Sequence, residues 1–332
     1  MKNQAMFHKR LWVLGLALLM VTVSGQLAAR SFEVAGDLIG ELDIASSLRA
    51  DTLSDLARAY DQGYLEMRWA NPGVDPWLPG DETEIIVPSL YILPDAPQRG
   101  IVVNVPEMRL YFYPKSRRKK ELRVSTHPIS IGRQQWTTPH GKTKIVQKVK
   151  DPNWYPPESI REEHAAEGDP LPKVVPAGPD NPLGAYKMKL GLPGYLIHGT
   201  NRPYGIGMRV THGCVRMYPK DVEQIFQSVA VGTPVYIVNQ PYKVGVARDR
   251  VYLEVHPHLA EDDDKFRDQF SHVVELIVAR TEGRNAQLNW QQLRDAISAK
   301  SGIPVEVGTI RPEAGEGVAK ATLSAVVVTN TD

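Results

Sequence analysis

The chain contains a single cysteine, Cys214, in the run Thr211-His212-Gly213-Cys214-Val215-Arg216-Met217, sixteen positions after His198. Acyl transfer through a thioester needs a thiolate, a base that makes it, and donors for the oxyanion. Two imidazoles, His198 and His212, are candidate bases for Cys214. A neighbouring imidazole lowers a thiol's pKa, so the Cys214 thiol is expected below its ordinary range. Gly213 permits a tight turn and leaves backbone N–H groups near the thiol, the simplest form of oxyanion hole. A buried thiol acting as a small hydrophobe is the structural alternative. The histidines and glycine packed around Cys214 favour chemistry.

These residues need elements to hold them. The apolar run 195–197 reads as a buried strand that ends at His198, with Gly199 beside it allowing close backbone approach. On a strand His212 and Cys214 would share a face, whereas a Gly turn frees them from that rule. Pro219 opens a helix expected over 221–229. Upstream, short strands are expected at 100–105, 109–113, 122–131 and 142–149, with a late one at 235–238. The basic run 115–120 reads as a solvated hairpin tip. A proline-rich stretch, 151–184, is long enough to be functional and reads as an irregular ordered flap beside a cleft.

Residues 31–95 read as a small module. Phe32, Val34, Leu38 and Ile39 suggest its first strand. Thr52 and Asp55 have the spacing of a helix cap, followed by apolar residues at helical period. Asn71-Pro72-Gly73 and Leu78-Pro79-Gly80-Asp81 are turns, and 83–87 reads as a last strand. Residues 245–310 form a third, α/β region with a strand at 250–255 and two helices, and the tail from 311 to 332, rich in small residues, is expected to be loosely ordered. The expected class is α+β, mainly β.

The segment from His198 to Met217 resembles the signature of the YkuD-type L,D-transpeptidases, a His-Gly-Thr followed by Ser/Thr-x-Gly-Cys-x-Arg. Thr138-Pro139-His140-Gly141, Asp151-Pro152-Asn153-Trp154, the run 175–184 and Gly205-Ile206-Gly207-Met208-Arg209 resemble the periplasmic ErfK/YbiS-like branch. The resemblance spans 99–240. It implies Cys214 as the acylated nucleophile and His198 as the base, its second ring nitrogen held by the Gly199 carbonyl. It further implies the N–H groups of Gly213 and Cys214 as oxyanion donors, with His212 in a secondary role. Arg216 and Arg209 are implied to place substrate or order the loop, with Thr200 and Thr211 beside them in substrate binding. The implied reaction is attack on the L-centre carbonyl of the third stem residue of peptidoglycan, with release of D-Ala. The acyl group then passes to an amine, either of another stem (a 3→3 cross-link) or of a lipoprotein lysine. Transfer to water would make the enzyme an L,D-carboxypeptidase. The order of elements in 31–95 resembles a LysM module, which implies docking on glycan strands. A non-catalytic peptidoglycan-binding protein is the alternative reading. A papain-like protease fits poorly, because there the Cys lies far upstream of the His.

The bulk properties agree. A formal net charge of +1 argues against nucleic acid as a partner. Lys2, His8, Lys9 and Arg10, an uncharged apolar run at 11–23 and small residues to Ala29 read as a cleavable signal peptide over 1–29, implying a periplasmic, envelope-associated protein. No cofactor is expected. No metal is expected either: His127, His164, His256, His258 and His272 show no ligand spacing, and His140 is expected at the surface.

Overall fold

The computed structural model describes residues 31–115, 121–282 and 284–311. The signal segment, most of the basic run at 115–120 and nearly all of the tail lie outside them. No helix among the described residues is long and apolar enough to cross a membrane.

The central element is a β-sheet that closes on itself. Starting from Arg123–Gly132, the strands follow in the order Val215–Met217, Leu196–His198, Tyr186–Leu190, Gly141–Lys150, Pro234–Val238, Gly100–Asn104 and Arg109–Tyr113, and the last pairs back onto Arg123–Gly132. Most pairings are antiparallel, but Leu196–His198 runs parallel to Val215–Met217, and Pro234–Val238 parallel to Gly100–Asn104. Alternation explains the two-sided burial of these strands. Ile101 and Val103 join Leu110, Ile129, Ile145, Met188, Ile197 and Val215 in one core, completed by Val222 and Ile225 of the helix Pro219–Ser228. Val102, Tyr111 and Tyr113 face the other way and are covered by Phe32, Ile39 and Tyr91 from the N-terminal segment.

In the N-terminal module the antiparallel strands Asp43–Ser46 and Glu84–Val87 enclose the helices Leu53–Ala59 and Tyr64–Ala70. Thr52 and Asp55 form a reciprocal capping box at the first helix. The expected first strand is displaced. Ser31–Glu33 instead pairs with the barrel strand at Arg123–Ser125, and Leu38–Gly40 pairs with Leu90–Ile92. The alternation in 32–39 is genuine, but its apolar side covers the barrel rather than the module's own helices. The C-terminal region is a four-stranded sheet ordered Tyr242–Ala247, Arg250–Val255, Val305–Ile310, Ala286–Leu288, backed by the helices Gln269–Arg280 and Trp290–Ala299.

Buried charge joins these units. Arg109, on the barrel, donates from Nε and Nη2 to the Glu66 carboxylate at 2.6 and 2.9 Å and from Nη1 to Thr126, and its guanidinium lies over the Tyr91 ring. Glu66 also accepts from Gly63 N–H at the start of its helix. In a second cluster nearby, Lys243 from the C-terminal region meets Glu107 at 2.9 Å and Glu254 at 2.7 Å, and donates to the Ile92 carbonyl. Burial works to raise the Glu107 carboxyl, but Lys243 and His256 hold it below the usual carboxylate range.

Breaking a buried pair by removing one partner strands the other charge. Glu66→Ala is therefore expected to lower stability by ~3–5 kcal/mol in urea unfolding. The double change Glu66→Ala/Arg109→Leu is expected to cost less than Glu66→Ala alone.

Candidate active site

The register of one short strand pair assembles the site. Ile197 lies opposite Val215 and His198 opposite Arg216, so Cys214, just before Val215, falls level with Leu196, two residues before His198 on the neighbouring strand. Arg216 and Met217 pair in turn with Ser130 and Ile129 of the long strand Arg123–Gly132. His198 is buried at its strand end, and Nδ1 lies 2.7 Å from the Gly199 carbonyl. That contact sets Nδ1 as the protonated nitrogen and leaves Nε2 as the basic one. Gly199 is confined, since a Cβ there would meet Val222 at 3.1 Å and the Leu183 carbonyl at 3.4 Å.

Cys214 follows a turn only glycine can make. Gly213 has φ +94°, and a Cβ there would lie 2.7 Å from the Tyr195 ring. Across from it, Gly132 packs against the Gly213 Cα, and a Cβ there would collide with the Trp136 carbonyl. The Thr138 hydroxyl donates to the Gly213 carbonyl at 2.9 Å and accepts from Gly132 N–H at 3.0 Å. Thr211 donates to the Cys214 carbonyl at 2.7 Å. Both carbonyls are thereby held, which fixes the turn at Gly213 and Cys214. The Cys214 thiol donates toward the Gly194 carbonyl, Sγ to O 3.7 Å.

The electrostatics overturn one expectation. Cys214 is not depressed: burial raises its thiol above the ordinary value, against the smaller opposing pull of the Leu196 N–H and Arg216. His198 is lowered to about 3, first by burial and then by the Arg216 charge, despite its bond to Gly199. The resting pair is thus a neutral thiol and a neutral imidazole. Spacing along the chain reveals the neighbouring imidazole but not the desolvation that keeps both groups uncharged.

The expected substrate-binding residues divide. Arg216 is half-buried, and its Nε is enclosed without a hydrogen-bond partner. Arg209 is engaged: its Nη1 and Nη2 donate to the Glu261 carboxylate at 2.9 and 2.7 Å and its Nε donates to the Gly132 carbonyl. Thr211 is buried with its hydroxyl turned to the Cys214 carbonyl, and the Thr200 hydroxyl accepts from Arg202 N–H in a tight turn. Both threonines shape backbone.

His212 is engaged elsewhere. Its Nε2 lies 2.7 Å from Arg133 and 2.9 Å from Glu163, with the Trp136 ring edge-on at 5.1 Å between centroids. Glu163 belongs to a helix, Glu158–Ala166, in the stretch expected to be irregular throughout. Asn181, fully buried, organises that flap by donating to the carbonyls of Pro152, Val175 and Pro176. The Arg133–Glu163 ion pair and the His212 contact therefore fasten the flap helix beside the cysteine turn. Thr138 stood in a quoted motif without a role. Glu163, Arg133 and Gly132 carried no signal in the sequence, because only the flap's fold brings them to His212 and Gly213.

Residues 98–237 match the YkuD family, described as the L,D-transpeptidase catalytic domain. The chain is 40% identical over 263 residues to the probable L,D-transpeptidase ErfK/SrfK of Salmonella typhimurium, covering 78% of this chain and 84% of that one. It is 39% identical over 277 residues to the probable L,D-transpeptidase YbiS of Escherichia coli, covering 81% and 88%. Against the Escherichia coli protein YcfS, also named a probable L,D-transpeptidase, it is 38% identical over 263 residues, covering 77% and 80%.

A raised thiol makes a kinetic signature. Alkylation of Cys214 by iodoacetamide at neutral pH is expected to be slower than that of a free thiol, with a midpoint above the usual ~8.5. Arg216→Met, which removes a charge that favours the thiolate, is expected to move that midpoint further up. A rate already at plateau below pH 7 would show a preformed thiolate and contradict this reading.

Proposed function

The chain belongs to the YkuD-type L,D-transpeptidases, and on that premise we propose that it acts on peptidoglycan with Cys214 as nucleophile and His198 as the proton carrier. The observation that supports the assignment is the parallel strand pair that brings His198 and Cys214 to neighbouring strands, two positions apart in register, with His198 Nδ1 on the Gly199 carbonyl. The same family relationship and the signal-like N-terminus support a periplasmic location.

The neutral resting pair dictates the order of events. As the Cys214 sulfur bonds to the carbonyl carbon of the third stem residue, its proton passes to His198 Nε2. The carbonyl oxygen becomes an oxyanion held by the N–H groups of Gly213 and Cys214. The charged imidazolium forms only when that negative charge appears next to it, which offsets the burial cost that depresses the free imidazole. Collapse breaks the C–N bond, and the D-Ala amine leaves with the His198 proton. A thioester remains. An acceptor amine then attacks it, gives its proton to His198, and the thiol departs reprotonated. Arg216 is the group left to orient the stem peptide. An amine of a second stem or of a lipoprotein lysine fits as acceptor, and water would complete a carboxypeptidase cycle instead.

The N-terminal module supplies the second part of the proposal, docking on glycan. Leu48, Trp77 and Leu78 are 67%, 65% and 73% exposed. They sit on two loops that are stitched together, Ser47 bonding to the Gly80 and Thr83 carbonyls. Exposed apolar residues gathered on one rim are the kind of surface that stacks against sugar rings.

Two measurements test these parts separately. With a disaccharide-tetrapeptide, mass spectrometry is expected to find a thioester on Cys214 and released D-Ala. His198→Gln should slow acylation by ~10²–10⁴-fold. A 3→3 dimer would identify a stem amine as acceptor, whereas an unchanged acylation rate in His198→Gln would remove it from the mechanism. For docking, Trp77→Ala is expected to weaken sedimentation with purified sacculi while leaving turnover of the soluble muropeptide unaltered.

A further inference from the structure

Away from the cysteine, three side chains from three parts of the chain converge on one point. Asp61 comes from the turn between the two helices of the N-terminal module, His127 from the long barrel strand, and Asp221 from the first turn of the helix that follows Val215–Met217. Their ligand atoms all lie within 4.8 Å of one another. His127 and Asp221 are buried, and two of their polar atoms, His127 Nδ1 and Asp221 Oδ2, have no hydrogen-bond partner. The separation of His127 Nδ1 from Asp221 Oδ1, 3.5 Å, is too long for a hydrogen bond. It is close to the ~3.4 Å expected between two donors that each lie ~2.1 Å from one tetrahedral zinc ion.

The ring is held in the orientation a ligand needs. His127 Nε2 lies 3.0 Å from the Ser125 hydroxyl on the same strand. When Nε2–H donates to that hydroxyl, the lone pair of Nδ1 faces the two carboxylates, which is the outer-sphere arrangement that sets the tautomer of a metal-bound histidine. In that tautomer the three groups present a nitrogen and two carboxylates to one point, a set that a proton or a divalent cation can fill. Arg109 does not meet this demand, because its guanidinium is bound to Glu66 and reaches Asp61 only at the backbone carbonyl, at 3.5 Å. One imidazole and two carboxylates form a nitrogen/oxygen set of the kind zinc takes.

We propose that Asp61, His127 and Asp221 bind a divalent cation of the zinc class, which staples the N-terminal module to the barrel and to the helix behind the cysteine strand. The alternative occupant of the same space is a proton. Without a cation, burial and the Asp221 carboxylate push the Asp61 carboxyl up to about 7.

The test uses the mature chain after removal of metal by a chelator. The Cys214→Ser variant is titrated with zinc chloride by calorimetry, and its thermal unfolding is followed with and without zinc. One bound equivalent and a higher Tm are expected, since a ligand bound only by the folded state stabilises it. Asp61→Asn, at a half-buried position that accepts the isosteric amide, should lose both. His198→Gln in the Cys214→Ser background should keep both. Cobalt(II) added to the chain with Cys214 intact gives a readout free of substitutions, with visible ligand-field bands and no thiolate charge-transfer band. Zinc binding that survives Asp61→Asn but is lost in His198→Gln, or a thiolate band with cobalt, would place the metal at the cysteine and overturn the proposal. No zinc binding, together with an Asp61→Asn variant more stable than its parent at neutral pH, would show a shared proton in place of the metal and overturn it equally.

Discussion

A parallel register, Ile197 opposite Val215, is the contact from which the rest of the site follows. Parallel strands cannot be joined by a tight hairpin, so the chain must leave the sheet after His198 and return through a crossover before Cys214. That excursion carries the turn at Pro203–Gly205 and the strand Arg209–Thr211, which pairs beside the end of Arg123–Gly132. The return is through Gly213, where positive φ and the nearness of Gly132, Trp136 and Tyr195 exclude any side chain. The cysteine is thereby presented at the top of a strand, between a buried imidazole and a turn whose carbonyls are already bonded.

The same packing sets the protonation states. Enclosing His198 in the barrel's end removes water from it and drives its pKa down, while the sheltered Cys214 thiol is driven up. Charge separation then has to wait for substrate. A neutral thiol is also a weaker target for oxidants than a thiolate. The flap contributes by a different route, its helix being fastened through Glu163 to Arg133 and His212 and its base through Asn181. His212 thus holds the wall of the cleft.

The N-terminal and C-terminal units are attached to the barrel by buried polar clusters rather than by apolar contact alone. Glu66–Arg109 joins the first, and Lys243 with Glu107 and Glu254 joins the second, with Ile92 bonding at both its N–H and its carbonyl to that second cluster. Such clusters permit few alternative arrangements, because any shift leaves a charge without its partner. Leu48, Trp77 and Leu78 are exposed on the module that the first cluster ties to the barrel.

A lone cysteine, two histidines and a glycine at the spacings of 198–217 point to thiol acyl transfer, and the family match over 98–237 bears out the L,D-transpeptidase reading. The local patterns also determine most elements, because alternation and capping are short-range. Arg109–Tyr113 and Arg250–Val255 begin and end where the pattern does, and Thr52 caps its helix with Asp55 as its spacing requires. Tertiary structure decided what depends on distant neighbours. It turned the alternation of 32–39 outward onto the barrel, gave Arg209 to Glu261 and His212 to Glu163, and brought His127 to Asp61 and Asp221. It also set the protonation of the catalytic pair. Spacing along the chain reports which groups are present, but their charge depends on how much water the folded barrel leaves around them.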